Sequence, residues 1–403
     1  MEFLKNYTPI QPRLYCSVLG KDPLLVLSYG LCFILIFLSL TKDTPAIHLS
    51  AVDSSRPVKY VGEAFVDDAG LGMNQQTQTE SLTNNVGRLA QQWEKLLYST
   101  GGALNLSKCF WFQLSWSWKG GKASLDSVKN TPAELYLTSE GELHTKIKIP
   151  RIETTSSFRT LGVHLSPSGS NKGASAVMAS FILDYCTTIK GSHLSRQDAL
   201  MSYIQYLLPK LRFQPPVLSL TKQQCDKLIS PIYMALLPKL HVNHNTSRTI
   251  IFGLERLGGL SLPHIYVVTN IDKLQLFLGH LRVKDRTGNL IHIDLSYLQL
   301  LSGSGTFVMN QDPSKYNWIE PGWLHSLWVF TSHHSLTFYY PDQWLPTQAR
   351  QNNKFLMELF IKLQGNNKDM ETLNRCRLFL QVITLSDITN AEGDRIIKEA
   401  KKG

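Results

Sequence analysis

Tyr60-Val61-Gly62-Glu63-Ala64-Phe65-Val66-Asp67-Asp68 is the stretch on which the reading of this chain turns. A short apolar run ends in two adjacent carboxylates, and Gly70 and Gly72 follow at once. A run bounded by glycines in this way predicts a strand that enters a tight turn and returns. A turn presenting two aspartates suits a hard cation, because Mg²⁺ prefers oxygen ligands and shares them with substrate phosphates. Chemistry by two metal ions needs carboxylates that hold the ions ~3.5–4 Å apart. Asp-Asp before a glycine also occurs in plain solvated turns, where Asp accepts hydrogen bonds from nearby backbone. The pair alone does not choose between these readings.

The sequence downstream supplies an order of elements. Thr77-Gln78-Thr79-Glu80 has capping-box form, and Leu82, Val86, Leu89, Trp93, Leu96 and Leu97 fall at helical spacing, predicting a helix over 79–98 that Gly101-Gly102 stops. Leu104 to Phe112 then reads as a strand carrying Lys108. Packed beside the hairpin, that strand would bring the Lys108 ammonium near the aspartates, where it can protonate or neutralise a departing pyrophosphate. The alternative is an edge-strand charge that guards against aggregation. Phe158-Arg159-Thr160-Leu161-Gly162-Val163-His164-Leu165 reads as one more short strand, its internal glycine marking a bulge or a close backbone approach.

These boxes carry a resemblance. Phe65-Val66-Asp67-Asp68 resembles motif C of reverse transcriptases, Gly102-Ala103-Leu104-Asn105-Leu106-Ser107-Lys108-Cys109 resembles motif D, and Leu161-Gly162-Val163-His164-Leu165 resembles motif E, the primer grip. They stand in the family's order. Gln91-Gln92-Trp93-Glu94-Lys95-Leu96-Leu97, Pro238-Lys239-Leu240, Gly258-Gly259-Leu260-Ser261-Leu262-Pro263 and Leu373-Asn374-Arg375-Cys376-Arg377 are similar to segments of reverse-transcriptase-domain proteins of eukaryotic, algal-type retroelements.

The resemblance implies an RNA-directed DNA polymerase in which Asp67 and Asp68 bind Mg²⁺ (or Mn²⁺) and act catalytically with Lys108, while Leu161, Gly162 and Val163 grip the primer. It implies an α+β fold: a degenerate N-terminal segment over 1–59, a partial palm over 60–172, a helical thumb over 173–302 and a helical extension over 315–403. It also implies a third metal-binding carboxylate on an upstream motif A strand. Residues 1–60 hold only Glu2, Asp22, Asp43 and Asp53, none in a strand-Asp-helix setting. Gly20-Lys21-Asp22-Pro23-Leu24-Leu25 is at most a degenerate motif B, and the fingers are missing. Misplacing reacting groups by ~1 Å can already cost 10²-fold in rate. The expectation is an inactive polymerase fragment, lacking the opposed strand of the site, unless another chain completes the palm.

Charge agrees with a polyanionic partner. The net charge is +10, and residues 173–290 carry thirteen Lys/Arg against six Asp/Glu. There a thumb would hold RNA/DNA template and primer by phosphate contacts; a solvated basic face without a ligand is the alternative. A non-catalytic basic nucleic-acid-binding protein is thus the second reading of function. The six cysteines show no CxxC pair, so a reducing intracellular setting (nucleus or cytoplasm) without zinc or disulfides is expected. Leu24 to Leu40 has no charge. It is read as the buried palm helix that follows motif B, with a single-pass membrane segment as the third reading, since a span takes ~20 apolar residues.

Elsewhere the periodicity predicts a strand pair within 104–118 ending at Lys119-Gly120-Gly121, a hairpin of 135–138 with 143–149, and helices over 173–190, 195–209, 221–238, 264–284, 290–301, 323–333, 351–363, 369–382 and 391–401. Pro209 is expected to end its helix. Trp111, Trp116 and Trp118 are expected to pack across the sheet rather than stack on bases. Gly303-Ser304-Gly305 and Asn310 to Ser314 are expected to form a linker, and His241, His244, His333 and His334 to be exposed turn histidines.

Overall fold

A computed structural model describes residues 13–19, 46–65, 68–74, 82–99, 101–119, 122–139, 145–348, 350–363 and 367–397. The chain is mixed α and β, about 50% helical, with small antiparallel sheets. It forms two compact units. One comprises Thr8–Leu49 with Val58–Ala174; the other comprises Met1–Tyr7, Ser50–Pro57 and Ser175–Gly403.

The first unit is built on a five-stranded antiparallel sheet. Its strands are β1 (Arg13–Leu19), β4 (Gly62–Phe65), β5 (Asp68–Gly72), β6 (Ala103–Leu104) and β7 (Phe110–Phe112), in the order β4-β5-β1-β6 with β7 also on β1. A separate pair, β2 (Ile47–Leu49) and β3 (Val58–Tyr60), covers Gly72, where a Cβ would stand 2.7 Å from the Tyr60 ring. Helix α1 (Leu82–Ser99) lays Leu82, Val86, Leu89, Ala90 and Trp93 onto Ala69, Leu71, Leu104 and Trp111. That stripe at i, i+4, i+7, i+8 and i+11 is the apolar face the sequence pattern predicts. Glu94 is buried at the end of α1, and its carboxylate accepts a hydrogen bond from Leu104 N at 2.9 Å, tying β6 to the helix.

Three strand expectations change. Leu104 to Phe112 is not one strand: Lys108 N bonds Asn105 O at 2.9 Å and Cys109 N bonds Leu106 O at 3.3 Å, closing a turn that splits β6 from β7. Trp116–Lys119 (β8) pairs with Lys122–Leu125 (β9) rather than with the preceding segment, leaving Trp116 and Trp118 exposed at 42% and 69% while Trp111 is buried. Phe158–Thr160 (β12) and Val163–Leu165 (β13) form a hairpin whose two turn residues, Leu161 and Gly162, have φ of 50° and 83°. Two positive φ values mark a type I′ turn, so the glycine serves the turn and not a bulge. Between these lies the hairpin of β10 (Leu135–Thr138) and β11 (Lys146–Ile149), tied to α1 by Gln91, whose amide exchanges two 2.8 Å hydrogen bonds with the Thr138 backbone.

In the second unit the helices are α2 (Lys172–Gly191, which crosses the boundary), α3 (Arg196–Met201), α4 (Leu208–Phe213), α5 (Lys222–Lys239), α6 (Arg248–Phe252), α7 (Ile265–Val283), α8 (Arg286–Ser302), α9 (Trp323–His333), α10 (Leu356–Lys362) and α11 (Asn367–Leu380). Pro209 does not stop the chain: a π-helical stretch over Ser202–Leu207 precedes it, so Pro209 sits in the first turn of α4, where its missing N–H costs nothing. The capping box at Thr221 and Gln224 is present. Helix α8 begins earlier than expected, since Asp285 caps it by accepting from Gly288 N at 2.7 Å. Residues 391–397 are turns around the Thr389–Ile396 bridge, where the sequence predicted helix.

The glycine-serine run after α8 is packed. Ser302 and Ser304 are buried, the Gln299 amide donates to Ser304 O at 2.8 Å, and a Cβ on Gly305 would stand 2.0 Å from the Phe355 ring. The expected linker is therefore a core turn, and one unit runs through both helical segments that the sequence distinguishes. Ser50–Pro57 belongs to this unit although it lies far upstream. Val52 N donates to Ser296 Oγ at 3.1 Å, and Arg56 reaches Tyr340 Oη at 3.1 Å and the Asp342 carboxylate. No described helix is long and apolar enough to cross a membrane; residues 24–40 lie outside the described region.

Candidate functional site

The hairpin β4–β5 pairs Phe65 with Asp68, so its connection is the two residues Val66 and Asp67. Asp67 lies outside the described residues, and Asp68 is described as the backbone position that opens β5. Directly opposed residues of an antiparallel pair share a face, and faces alternate along a strand. Positions 63, 65, 68, 70 and 72 therefore share one face, opposite to the Ala69 and Leu71 face that α1 covers. Glu63 is exposed on the Asp68 face, one diagonal step away. Sequence reasoning passed over this carboxylate, although the strand's alternation marks it.

Strand β1 supplies what the sequence reading lacked, a third strand against the ribbon. Its register sets Ser17 opposite Asp68, Cys16 opposite Ala69 and Tyr15 opposite Gly70. The expectation of a missing opposed strand is corrected, yet the strand (Arg-Leu-Tyr-Cys-Ser-Val-Leu) has no acid. On its other edge β1 pairs Val18 with Leu104 and Tyr15 with Phe110. The turn between β6 and β7, with Lys108, is thus level with Asp68 and one strand removed, roughly 10 Å at ~4.8 Å per strand spacing. The Lys108 side chain is exposed.

The β12–β13 hairpin joins the same assembly. Phe158 packs on Phe110 at 5.0 Å and on Phe112 at 5.8 Å between ring centroids. Positions 110 and 112 pair with 15 and 13 of β1, which puts them on the Asp68 face. Leu161 is exposed at the hairpin tip, and Gly162 and Val163 complete the turn into β13.

As a cation seat the donor set is thin. Among the described residues no three His, Cys, Asp or Glu side chains converge for a metal. The residue paired with Asp68 is a serine, which brings no carboxylate to that position.

The helical unit holds cations of two kinds. Lys273 is buried, donating to Leu218 O at 2.7 Å and to Ser326 Oγ at 2.8 Å, and burial lowers its pKa to about 8. Arg212 is ion-paired with Asp272, and Lys284 with Asp342. Lys222, Lys227, Arg248 and Arg256 are exposed and make no ion pair among the described residues. The basic face is accordingly smaller than the charge count suggests. Compared with known proteins, the chain matches no family model and no curated protein.

Proposed function

We propose that this chain is the remnant of a reverse-transcriptase-type polymerase, the part with motifs C, D and E and the thumb, which binds nucleic acid without transferring nucleotides. One observation carries the reading. The Asp68 ribbon and the Lys108 turn meet through β1 in one antiparallel sheet, and the separate Leu161-Gly162 hairpin packs on that sheet through Phe158, although the three lie up to about a hundred residues apart. Proximity in space is what the motif order requires, and it supports the reading.

In this reading Asp67 and Asp68 would supply the carboxylates, Lys108 supplies positive charge from a turn at the level of position 68, and Leu161 to Val163 offer backbone to a primer strand. A bound Mg²⁺ or Mn²⁺ would supply charge neutralisation for a phosphate. Nucleotidyl transfer needs a second, opposed carboxylate, and Ser17 stands there. RNA or DNA is held by phosphate contacts from exposed cations such as Lys222, Lys227, Arg248 and Arg256.

Primer extension and RNA binding by the purified chain test the proposal together. Expected are no extension with Mg²⁺ or Mn²⁺, and RNA affinity that falls linearly in log-log with salt. Changing Asp67→Asn with Asp68→Asn should leave binding intact or strengthen it as negative charge is removed. Templated extension abolished by that double variant would overturn the inactive-remnant reading. Absence of salt-dependent binding would remove nucleic acid as the partner. The Ser17 position also favours the second reading, a nucleic-acid-binding protein with no metal chemistry of its own.

A further inference from the structure

Helix α5 carries Lys222, Asp226, Ser230 and Tyr233 at i, i+4, i+8 and i+11, a single stripe that forms one wall of a cavity of about 720 Å³. Helix α6 adds Arg248 and Phe252, the start of α7 adds His264 and Tyr266, and the end of α9 adds His333 and His334. Sequence reading treated the last two as ordinary turn histidines. The volume lies in the range of small-molecule pockets, ~300–1,000 Å³.

The charges in it are unbalanced. Asp226 is its one carboxylate, and His264 Nε2 meets it at 2.9 Å. His264 Nδ1 accepts from Tyr266 N at 3.1 Å as the cap of α7, so the ring is neutral and donates to Asp226 through Nε2–H. Desolvation, outweighing Asp226, keeps the His264 pKa below its ordinary value, consistent with that neutral form. Lys222 and Arg248 have no hydrogen-bond or ion-pair partner among the described residues. The Arg248 guanidinium lies over the Tyr233 ring at 4.5 Å, a contact that orients it and consumes none of its N–H donors. Tyr233 is buried with its hydroxyl unpaired, a polar group that nothing among the described residues answers. Phe252 stands edge-on to His264 at 4.5 Å, giving an aromatic flank.

We infer that this cavity is a binding site for a phosphate monoester attached to a planar ring, the nucleoside monophosphate class. Arg248, steadied on the Tyr233 ring, takes the phosphate through its fork of donors, Lys222 adds a point charge, and the Phe252 ring flanks the base. The site involves none of the β-sheet residues; it shares Lys222 and Arg248 with the proposed nucleic-acid face, and saturation by AMP as well as by RNA distinguishes it from that face. The ligand is either a free nucleotide or the 5′-phosphorylated end of a strand.

Calorimetric titration of the full chain with AMP, adenosine and inorganic phosphate tests this, alongside short RNA with and without a 5′-phosphate. AMP should saturate the protein below about 1 mM and adenosine should bind at least about tenfold more weakly. Arg248→Gln should weaken AMP about tenfold and Lys222→Gln severalfold, both in variants that remain folded at the titration temperature. RNA that binds about tenfold better with its 5′-phosphate, and competes with AMP, assigns the strand end; indifference of RNA to that phosphate assigns the free nucleotide. No saturation by AMP, equal affinity for adenosine, or undiminished binding in a folded Arg248→Gln variant overturns the site.

Discussion

Lys273 shows how one residue links sequence, packing and solution behaviour. It falls inside the basic segment that the sequence assigns to a nucleic-acid face, yet its ammonium is spent on Leu218 O and Ser326 Oγ within the helical core. Burial lowers its pKa to about 8 from 10.5. Between those values the unfolded chain binds more protons than the folded one, so this residue makes stability rise with pH across about 8 to 10.5, by roughly 3 kcal/mol at most. Lys273→Met should remove that rise, measurable as the difference between wild-type and variant urea midpoints over the same pH series. At Ser17 a gain is expected. Ser17→Asp sets an acid opposite Asp68, and Mn²⁺ affinity followed by calorimetry should increase at least about tenfold. An unchanged affinity would mean that the β1 register does not bring position 17 to the cation.

At the scale of elements, what was legible followed local rules. The Thr221 capping box, the stripe of α1 and the whole of Trp323–His333 could be read because caps and 3.6-residue periodicity act over a few residues. Thr221→Ala should cost about 1 kcal/mol in chemical denaturation. What failed depended on partners. Leu104 to Phe112 is apolar enough to read as one strand, but pairing both ends with β1 forces the Lys108 turn between them. Pro209 reads as a helix end unless the π-helical stretch before it is known. In the candidate site, Asp68, Lys108 and Gly162 were visible as motif letters, whereas Ser17 and Glu63 acquire meaning only from register. Gly162→Val puts a β-branched residue at φ 83° and should destabilise the β12–β13 hairpin by about 1–2 kcal/mol, seen as faster amide exchange in 158–165.

For the whole molecule, the telling arrangement is the membership of Ser50–Pro57 in the helical unit. Arg56 stands among Tyr340 and Asp342, and Asp342 also meets Lys284 at 2.7 Å, while Tyr340 Oη meets His292 Nδ1 at 2.9 Å. Arg56→Ala should lower the stability of that unit by about 1 kcal/mol without changing the β-sheet, a separation that hydrogen exchange resolves by region. No composition or periodicity signal foretold this, since the segment is short and its partners lie far along the chain.

The ribosome meets the same fact in time. Pro57 is synthesised well before Ser175, so the segment that docks beside Ser296 and Asp342 leaves the exit tunnel long before its partners exist. It must wait, unpaired, while the strands that flank it assemble, and its docking is therefore among the late steps of folding. Gene breakage has a matching consequence: no single cut in the coding sequence releases both units whole, and a fragment that begins at Ser175 lacks the clasp that completes its unit.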